Sequence, residues 1–326
     1  MRGEKWLTIK YRKLVYTMIL HRNITVVMGD SGAGKTTLVS LIKDYRNKRG
    51  APEIKINGST DVYILPLEWS YADLDIRTKR NSILIADEGI DYIYRKCFAD
   101  AIKKSSNYFV LISRRPLQMI PYSCTEVVRF KTTNRNDVFF TETVKYINYY
   151  SEVRDVDTVL VEDSNSGYSM YETVYPEVNI KAAGGNSNIA PIVERTLANT
   201  EKTLLVIADG SAFGPYAQEL MTYLNSNRSR LIVWFPESFE YLLLVSKIVY
   251  RKGTEDILRN PIDHIESSLF DSWEQYFTFL VSDILKGYTG KAYSKSKLSM
   301  FLLNDTNLQK FRDTVPIEIQ KLLDKH

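Results

Sequence analysis

The chain has 326 residues, long for a single core and suited to two domains of ordinary size with a helical appendage. Hydrophobic residues make up 44% and charged residues 25%; no apolar run is long enough for a membrane span, and Met1–Lys5 lacks the apolar segment of a secretion signal. The expected location is therefore the cytoplasm, with no membrane partner. Two cysteines (Cys97, Cys124) and three histidines (His21, His264, His326) show no zinc-ligand spacing, and no disulfide is expected.

Net charge is +4, unevenly placed: residues 1–50 carry eleven Lys/Arg against three Asp/Glu. Such a face meets nucleic acid or an acidic partner, or is a solvated surface beside an anion site; charge alone does not choose.

From Trp6 to about Tyr146 the pattern is strand-rich α/β. Strands are predicted at Ile24–Met28, Val62–Leu65, Ile83–Ala86 and Tyr108–Ile112, helices at Thr37–Tyr45 and Asp91–Lys104, and a hairpin from 126–131 and 137–142. The first strand runs into Gly29-Asp30-Ser31-Gly32-Ala33-Gly34-Lys35-Thr36, which fits G-x-x-x-x-G-K-[ST] at every fixed position. Glycines let successive N–H groups turn toward an anion, and the helix that follows presents its positive end. The spacing predicts a nucleoside triphosphate, ATP in the simplest case, held by residues 29–36 and Thr37. Lys35 is placed at the β- and γ-phosphates, and the Thr36 hydroxyl on Mg²⁺.

The apolar strand Ser82–Ala86 ends in Asp87-Glu88: Asp87 supports Mg²⁺ and Glu88 polarises the attacking water. The strand Tyr108–Ile112 ends in Ser113-Arg114-Arg115-Pro116, where Ser113 is the expected γ-phosphate contact. Arg114 or Arg115 is either an arginine finger or a solvated cation. These motifs resemble the division of P-loop NTPases with a catalytic glutamate, which includes the ABC and AAA+ groups, over about residues 20–130. Only about fifty residues separate Lys35 from Asp87 and no L-S-G-G-Q segment lies between, unlike an ordinary ABC ATPase. The resemblance implies hydrolysis, and self-association to complete sites across an interface.

Beyond a polar stretch at 151–157, strands at Thr158–Val161, Val178–Lys181, Leu204–Ala208 and Leu231–Trp234 alternate with helices at Tyr168–Val174, Ile189–Leu197 and Gly214–Leu224. This is the pattern of a mostly parallel sheet. Past Tyr250 the strands stop, and Ile262–Lys286 and Lys297–Lys325 show helical spacing, with Leu269, Trp273, Tyr276, Phe277, Leu280, Ile284 and Leu285 read as core. The domain expectation is 1–148, 149–250 and 251–326.

The strand ends of the second domain carry Glu162-Asp163, Gly184-Gly185-Asn186-Ser187-Asn188 and Asp209-Gly210-Ser211-Ala212-Phe213-Gly214. This part resembles a Toprim domain, the metal-dependent module of topoisomerases, primases and OLD-family nucleases. Glu162 falls on the family glutamate, Asp209 on the first aspartate of D-x-D-x-x-G, and Gly214 on its glycine. Ser211 replaces the second aspartate and Asp163 the usual glycine, with Asp163, Glu237 or Glu240 open as compensation. The fold expected is α/β: an N-terminal P-loop NTPase domain, a Toprim-like parallel-sheet domain and C-terminal helices. By resemblance to OLD-family proteins, Glu162 and Asp209 bind Mg²⁺ and act on DNA or RNA under ATP control, in phage defence or a mobile element. The alternative is an ATP-driven switch that binds a partner protein through an inactive module.

Overall fold

In a computed structural model, residues 2–29, 32–48, 53–146, 152–153, 155–287 and 292–324 are described. Asp30 and Ser31 of the expected phosphate loop lie outside them. The chain divides into two compact units: residues 1–147 with 262–271, and residues 148–261 with 272–326. The stretch after Tyr250 is thus shared between the units. Within the first unit, the Ile262 carbonyl accepts from the Gly3 amide at 2.9 Å, and Lys103 meets Asp271 at 3.0 Å.

The first unit is built on a nine-stranded mixed sheet. Its strands are β1 (Lys5–Tyr11), β2 (Leu14–Leu20), β3 (Ile24–Val27), β4 (Ile54–Gly58), β5 (Val62–Ile64), β6 (Ile83–Ala86), β7 (Tyr108–Ile112), β8 (Val127–Arg135) and β9 (Val138–Lys145), in the order β4-β1-β2-β9-β8-β3-β7-β6-β5. Helices α1 (Lys35–Arg46), α2 (Trp69–Thr78) and α3 (Lys96–Lys103) accompany it. The expected helix over Asp91–Lys104 is split, a 3-10 turn at Asp91–Tyr94 preceding α3.

Strands β3, β7, β6 and β5 run parallel. All residues of β3, β6 and β7 are buried, which is why they read as unbroken apolar runs. Their carboxyl ends carry the expected phosphate loop, Ser113 and Asp87 in that spatial order, at the edge where open parallel sheets bind ligands.

The other side of the sheet is an antiparallel wing in which β1 pairs with β2 and with β4, and β8 with β9. Here side chains alternate: Leu7, Ile9, Tyr16, Met18 and Phe130 enter the core, while their neighbours Trp6, Lys10, Thr17, Ile19 and Arg129 face out. The β8–β9 turn is Asn136-Asp137, with φ of 51° and 61°, the left-handed pair that a two-residue hairpin requires.

The second unit holds a four-stranded parallel sheet: β10 (Thr158–Val161), β11 (Ile180–Ala182), β12 (Leu204–Ile207) and β13 (Leu231–Trp234), in the order β11-β10-β12-β13. Helices α4 (Ser166–Val174), α5 (Asn186–Asn199), α6 (Gly214–Ser226), α7 (Phe239–Val245) and α8 (Thr254–Arg259) accompany it; α9 (Pro261–His264) passes into the first unit's 262–271 segment, and α10 (Trp273–Lys286), α11 (Asp305–Arg312) and α12 (Ile317–Leu323) belong to the second unit. The strand order reverses between β10 and β12, and a crevice opens at such a reversal.

Ser272 caps α10 through the Gln275 amide, so the expected helix from Ile262 is broken there, and Leu269, read as core, is 73% exposed. Tyr276, Phe277, Leu280, Ile284 and Leu285 are buried as the helical spacing predicts. Among the described residues no helix is long and apolar enough to cross a membrane.

Candidate functional sites

In the phosphate loop, Gly29, Gly32 and Gly34 have φ of 134°, 86° and 83°, values that side chains strain to adopt. Gly34 has a second constraint: a Cβ there would stand 2.7 Å from the Tyr16 hydroxyl, which donates to the Gly34 carbonyl at 3.1 Å. The wing thus reaches over and fixes the turn from which α1 starts. No acidic residue occupies the first turn of α1, so its positive end is left for an anion.

Lys35 is 6% exposed; its ammonium donates to the Gly29 carbonyl and lies 3.7 Å from Glu88 Oε2. Asp87 Oδ1 accepts from the Glu88 amide at 2.8 Å, shaping the turn that presents Glu88. A cavity of about 410 Å³ is lined by Gly32, Gly34, Lys35, Thr36 and Thr37 from the loop and by Asp87, Glu88 and Arg114 from the neighbouring strand ends. Of the residues expected to hold triphosphate and Mg²⁺, those at 32–37 and Asp87 share one hollow, while Gly29 and Ser113 are not part of its lining; Thr36 and Asp87 supply the hard oxygens that Mg²⁺ prefers.

Ser113 is fully buried, its hydroxyl 2.8 Å from the Tyr94 hydroxyl and donating to the Arg115 carbonyl at 2.5 Å. The next residue faces the cavity: Arg114 Nε lies 2.5 Å from Glu88 Oε1. Arg115 lies over the Tyr94 ring, 4.5 Å from its centroid.

In the second unit, β10 and β12 are neighbours, which brings Glu162 and Asp209 together at the sheet's reversal point; the Asp209 amide donates to Glu162 Oε2 at 2.8 Å. Burial pushes the Glu162 carboxyl up to about 7, against the opposing pull of that amide and with nearby Glu274 and Asp163 adding to the rise. Asp209 is raised well above the usual carboxylate range, by burial first and then by Glu162, Glu274 and Glu240. Both carboxyls are thereby shifted toward their protonated forms.

Asp163 is committed elsewhere. Its carboxylate accepts from the Gly167 and Tyr168 amides at 3.1 and 2.7 Å, holding the first turn of α4, and the absence of a side chain at Gly167 makes room for it. Ser211 is 2% exposed and its hydroxyl has no hydrogen-bond partner among the described residues. Glu240, on α7, is equally buried; its Oε1 accepts from the Tyr293 hydroxyl at 2.7 Å, and its Oε2 finds no partner among the described residues.

Lys295 joins this group, 3.7 Å from Glu240 and hydrogen-bonded to Glu274. Burial alone would lower its pKa, but the carboxylates of Glu240 and Glu274 outweigh that and raise it. Glu274, Tyr293 and Lys295 had no signal in the sequence beyond their polarity, because they arrive from the segment after α9. The donors are hard oxygens, yet among the described residues no three Asp, Glu, His or Cys side chains come together as a metal set. The crevice at Glu162 and Asp209 measures about 20 Å³, room for about one water molecule.

Gly214 begins α6, and the Gly210 and Ser211 amides are tied to the Pro236 and Glu237 carbonyls at 2.7 and 3.2 Å. No family model, curated protein or solved structure matches this chain.

Proposed function

We propose that the first unit is an ATP hydrolase of the P-loop kind, and that it governs a Toprim-like second unit which performs or controls metal-dependent cleavage of nucleic acid. The observation that carries the first half is the convergence of Lys35, Thr36, Asp87 and Glu88 on one cavity at the carboxyl edge of β3 and β6. Lys35 and the loop amides would hold the phosphates, Thr36 and Asp87 would hold Mg²⁺, and Glu88 would orient water. Mg²⁺, when bound, neutralises charge that builds on the phosphates. The position of β7 between β3 and β6 supports the reading, since it sets Arg114 at the same opening. Turnover of ATP by the wild type and binding without turnover by Glu88→Gln is the expected result; unimpaired hydrolysis by that variant removes Glu88 from its role.

The second half rests on Glu162 and Asp209 meeting at the reversal of a parallel sheet. A second reading, an ATP-driven switch whose second unit binds a partner without cleaving it, is favoured by Ser211, by the small crevice and by the lack of a three-acid set among the described residues. Plasmid DNA and structured RNA, incubated with protein, ATP and Mg²⁺ or Mn²⁺, separate the two. Cleavage that disappears in Glu162→Ala supports the nuclease; intact polymers beside normal ATP turnover support the switch.

A further inference from the structure

The antiparallel wing of the first unit has one face in the core and one face open, and its registers state which side chains share the open face. Trp6 lies across from Ile19, Thr8 from Thr17 and Asn57, and Lys10 from Val15 and Lys55. Parallel pairing then sets Val15 beside Phe140 and Thr17 beside Glu142. Finally Phe140 faces Thr133, Glu142 faces Lys131, and Val144 faces Arg129. The alternate residues, Leu7, Ile9, Tyr16, Met18 and Phe130, are the buried ones, so the open face is a single continuous surface across five strands.

Its composition is lopsided. Within the paired strands, the exposed cations Lys10, Lys55, Arg129, Lys131 and Arg135 share it with the carboxylate Glu142, which lies across from Lys131; Glu4 and Glu53, just outside the strands, are paired with His21 and Arg12. Aromatic rings stand among them: Trp6 is 44% exposed and Phe140 37%, with the Arg135 guanidinium 5.8 Å from the Phe140 ring centroid. With strands about 4.8 Å apart the face is about 19 Å wide, enough for about four nucleotides, the lower end of the site sizes of sheet-based single-strand binders. Cations among aromatic planes match a ligand that alternates phosphates with flat, unstacked bases. A duplex keeps its bases stacked out of reach of Trp6 and Phe140, and an acidic peptide would engage the cations and leave the rings without partners. The face also borders the phosphate loop, because the Arg129 Cβ lies 3.8 Å from where a Cβ on Gly29 would stand.

We propose that this sheet face binds single-stranded nucleic acid, with bases stacked on Trp6 and Phe140 and phosphates held by Lys10, Lys55, Arg129 and Lys131. It rests on the surface of the first unit alone and requires neither ATP turnover nor cleavage by the second.

The test is fluorescence anisotropy of the full-length protein with a labelled oligothymidylate of about 20 nucleotides at about 50 mM salt, with duplex DNA and polyglutamate as competitors. The combined substitution Lys10→Gln, Lys55→Gln and Lys131→Gln is expected to weaken binding at least about tenfold and to reduce the slope of log affinity against log salt by about 2. Phe140→Ala should weaken it about 5- to 100-fold without changing that slope. Thr17→Glu, which adds a charge to the open face and removes nothing from the core, guards against a folding defect and should also weaken binding. Binding measured with no nucleotide and no divalent cation, where neither hydrolysis nor cleavage proceeds, should be undiminished, so failure of the hydrolase or nuclease reading is told apart from failure of this one. Absence of binding overturns the proposal. So does affinity unchanged by these surface substitutions, or polyglutamate competing as well as the oligonucleotide while Phe140→Ala has no effect.

Discussion

Arg114 Nε lies 2.5 Å from Glu88 Oε1, and on the far side of the same carboxylate Lys35 Nζ lies 3.7 Å from Oε2. The side chain proposed to orient water is therefore held between two cations, one on β7's carboxyl end and one on the first residue of α1. Arg114 is 60% exposed, so its pair with Glu88 contributes about 0–1 kcal/mol and yields readily to a stronger anion.

Lys35→Ala should weaken ATP binding about 10- to 150-fold, the worth of a charge-assisted hydrogen bond to a phosphate. Equilibrium binding of a fluorescent ATP analogue measures it, and a change under threefold would place the phosphates elsewhere.

Glu88→Gln should reduce the rate of ATP hydrolysis by about 10²–10⁴ while leaving affinity within a few-fold. Arg114→Ala should cost about 10³ or more if the guanidinium reaches the γ-phosphate in the reacting complex. A rate in Arg114→Ala equal to the wild type would reduce Arg114 to a surface partner of Glu88.

Gly34→Ala should destabilise the first unit by roughly 2–4 kcal/mol, from the left-handed φ together with the clash on Tyr16. Because the clash involves the hydroxyl, Tyr16→Phe should recover part of the loss, and the two substitutions should fail to add in a double-mutant cycle read by thermal unfolding. Strict additivity would show that Tyr16 does not constrain the loop.

For the second unit the pH dependence follows from Glu162, raised from 4.5 to about 7 by burial. Between those values the folded protein keeps a proton that the unfolded chain has released, so stability falls as pH rises from about 5 to about 7, by an amount on the order of 1–3 kcal/mol. Glu162→Gln should flatten the melting-temperature profile across this range. A divalent cation must displace the same proton, so stabilisation by Mn²⁺, if the crevice takes it, should be greater at pH 8 than at pH 6 and absent in Asp209→Asn.

The central parallel strands of both units were readable because burial on both faces leaves unbroken apolar runs, as in Ile83–Ala86 and Thr158–Val161. The phosphate loop was readable because its residues are contiguous. The strands β1 and β4 were not placed, since their period-two pattern mixes polar residues such as Lys, Thr and Asn with the core residues, whereas β2, apolar at every position but Thr17, carried a strand signal that went unplaced. Chain order put Ser113 at the strand end, but only the fold decides that Ser113 turns in toward Tyr94 and Arg114 turns out to the cavity. Likewise Lys295 meets Glu240 across more than fifty residues of sequence, a pairing with no local signature.

The hold of Lys35 and Arg114 on Glu88, though weak, also biases which anions the proposed phosphate loop would admit. An incoming anion must displace a carboxylate already seated between two cations, and a group with no more charge than that carboxylate gains nothing by the exchange. On the proposed reading a polyphosphate chain, bringing several negative charges at once, would gain, and would release Glu88 as the group to be hydrolysed arrives.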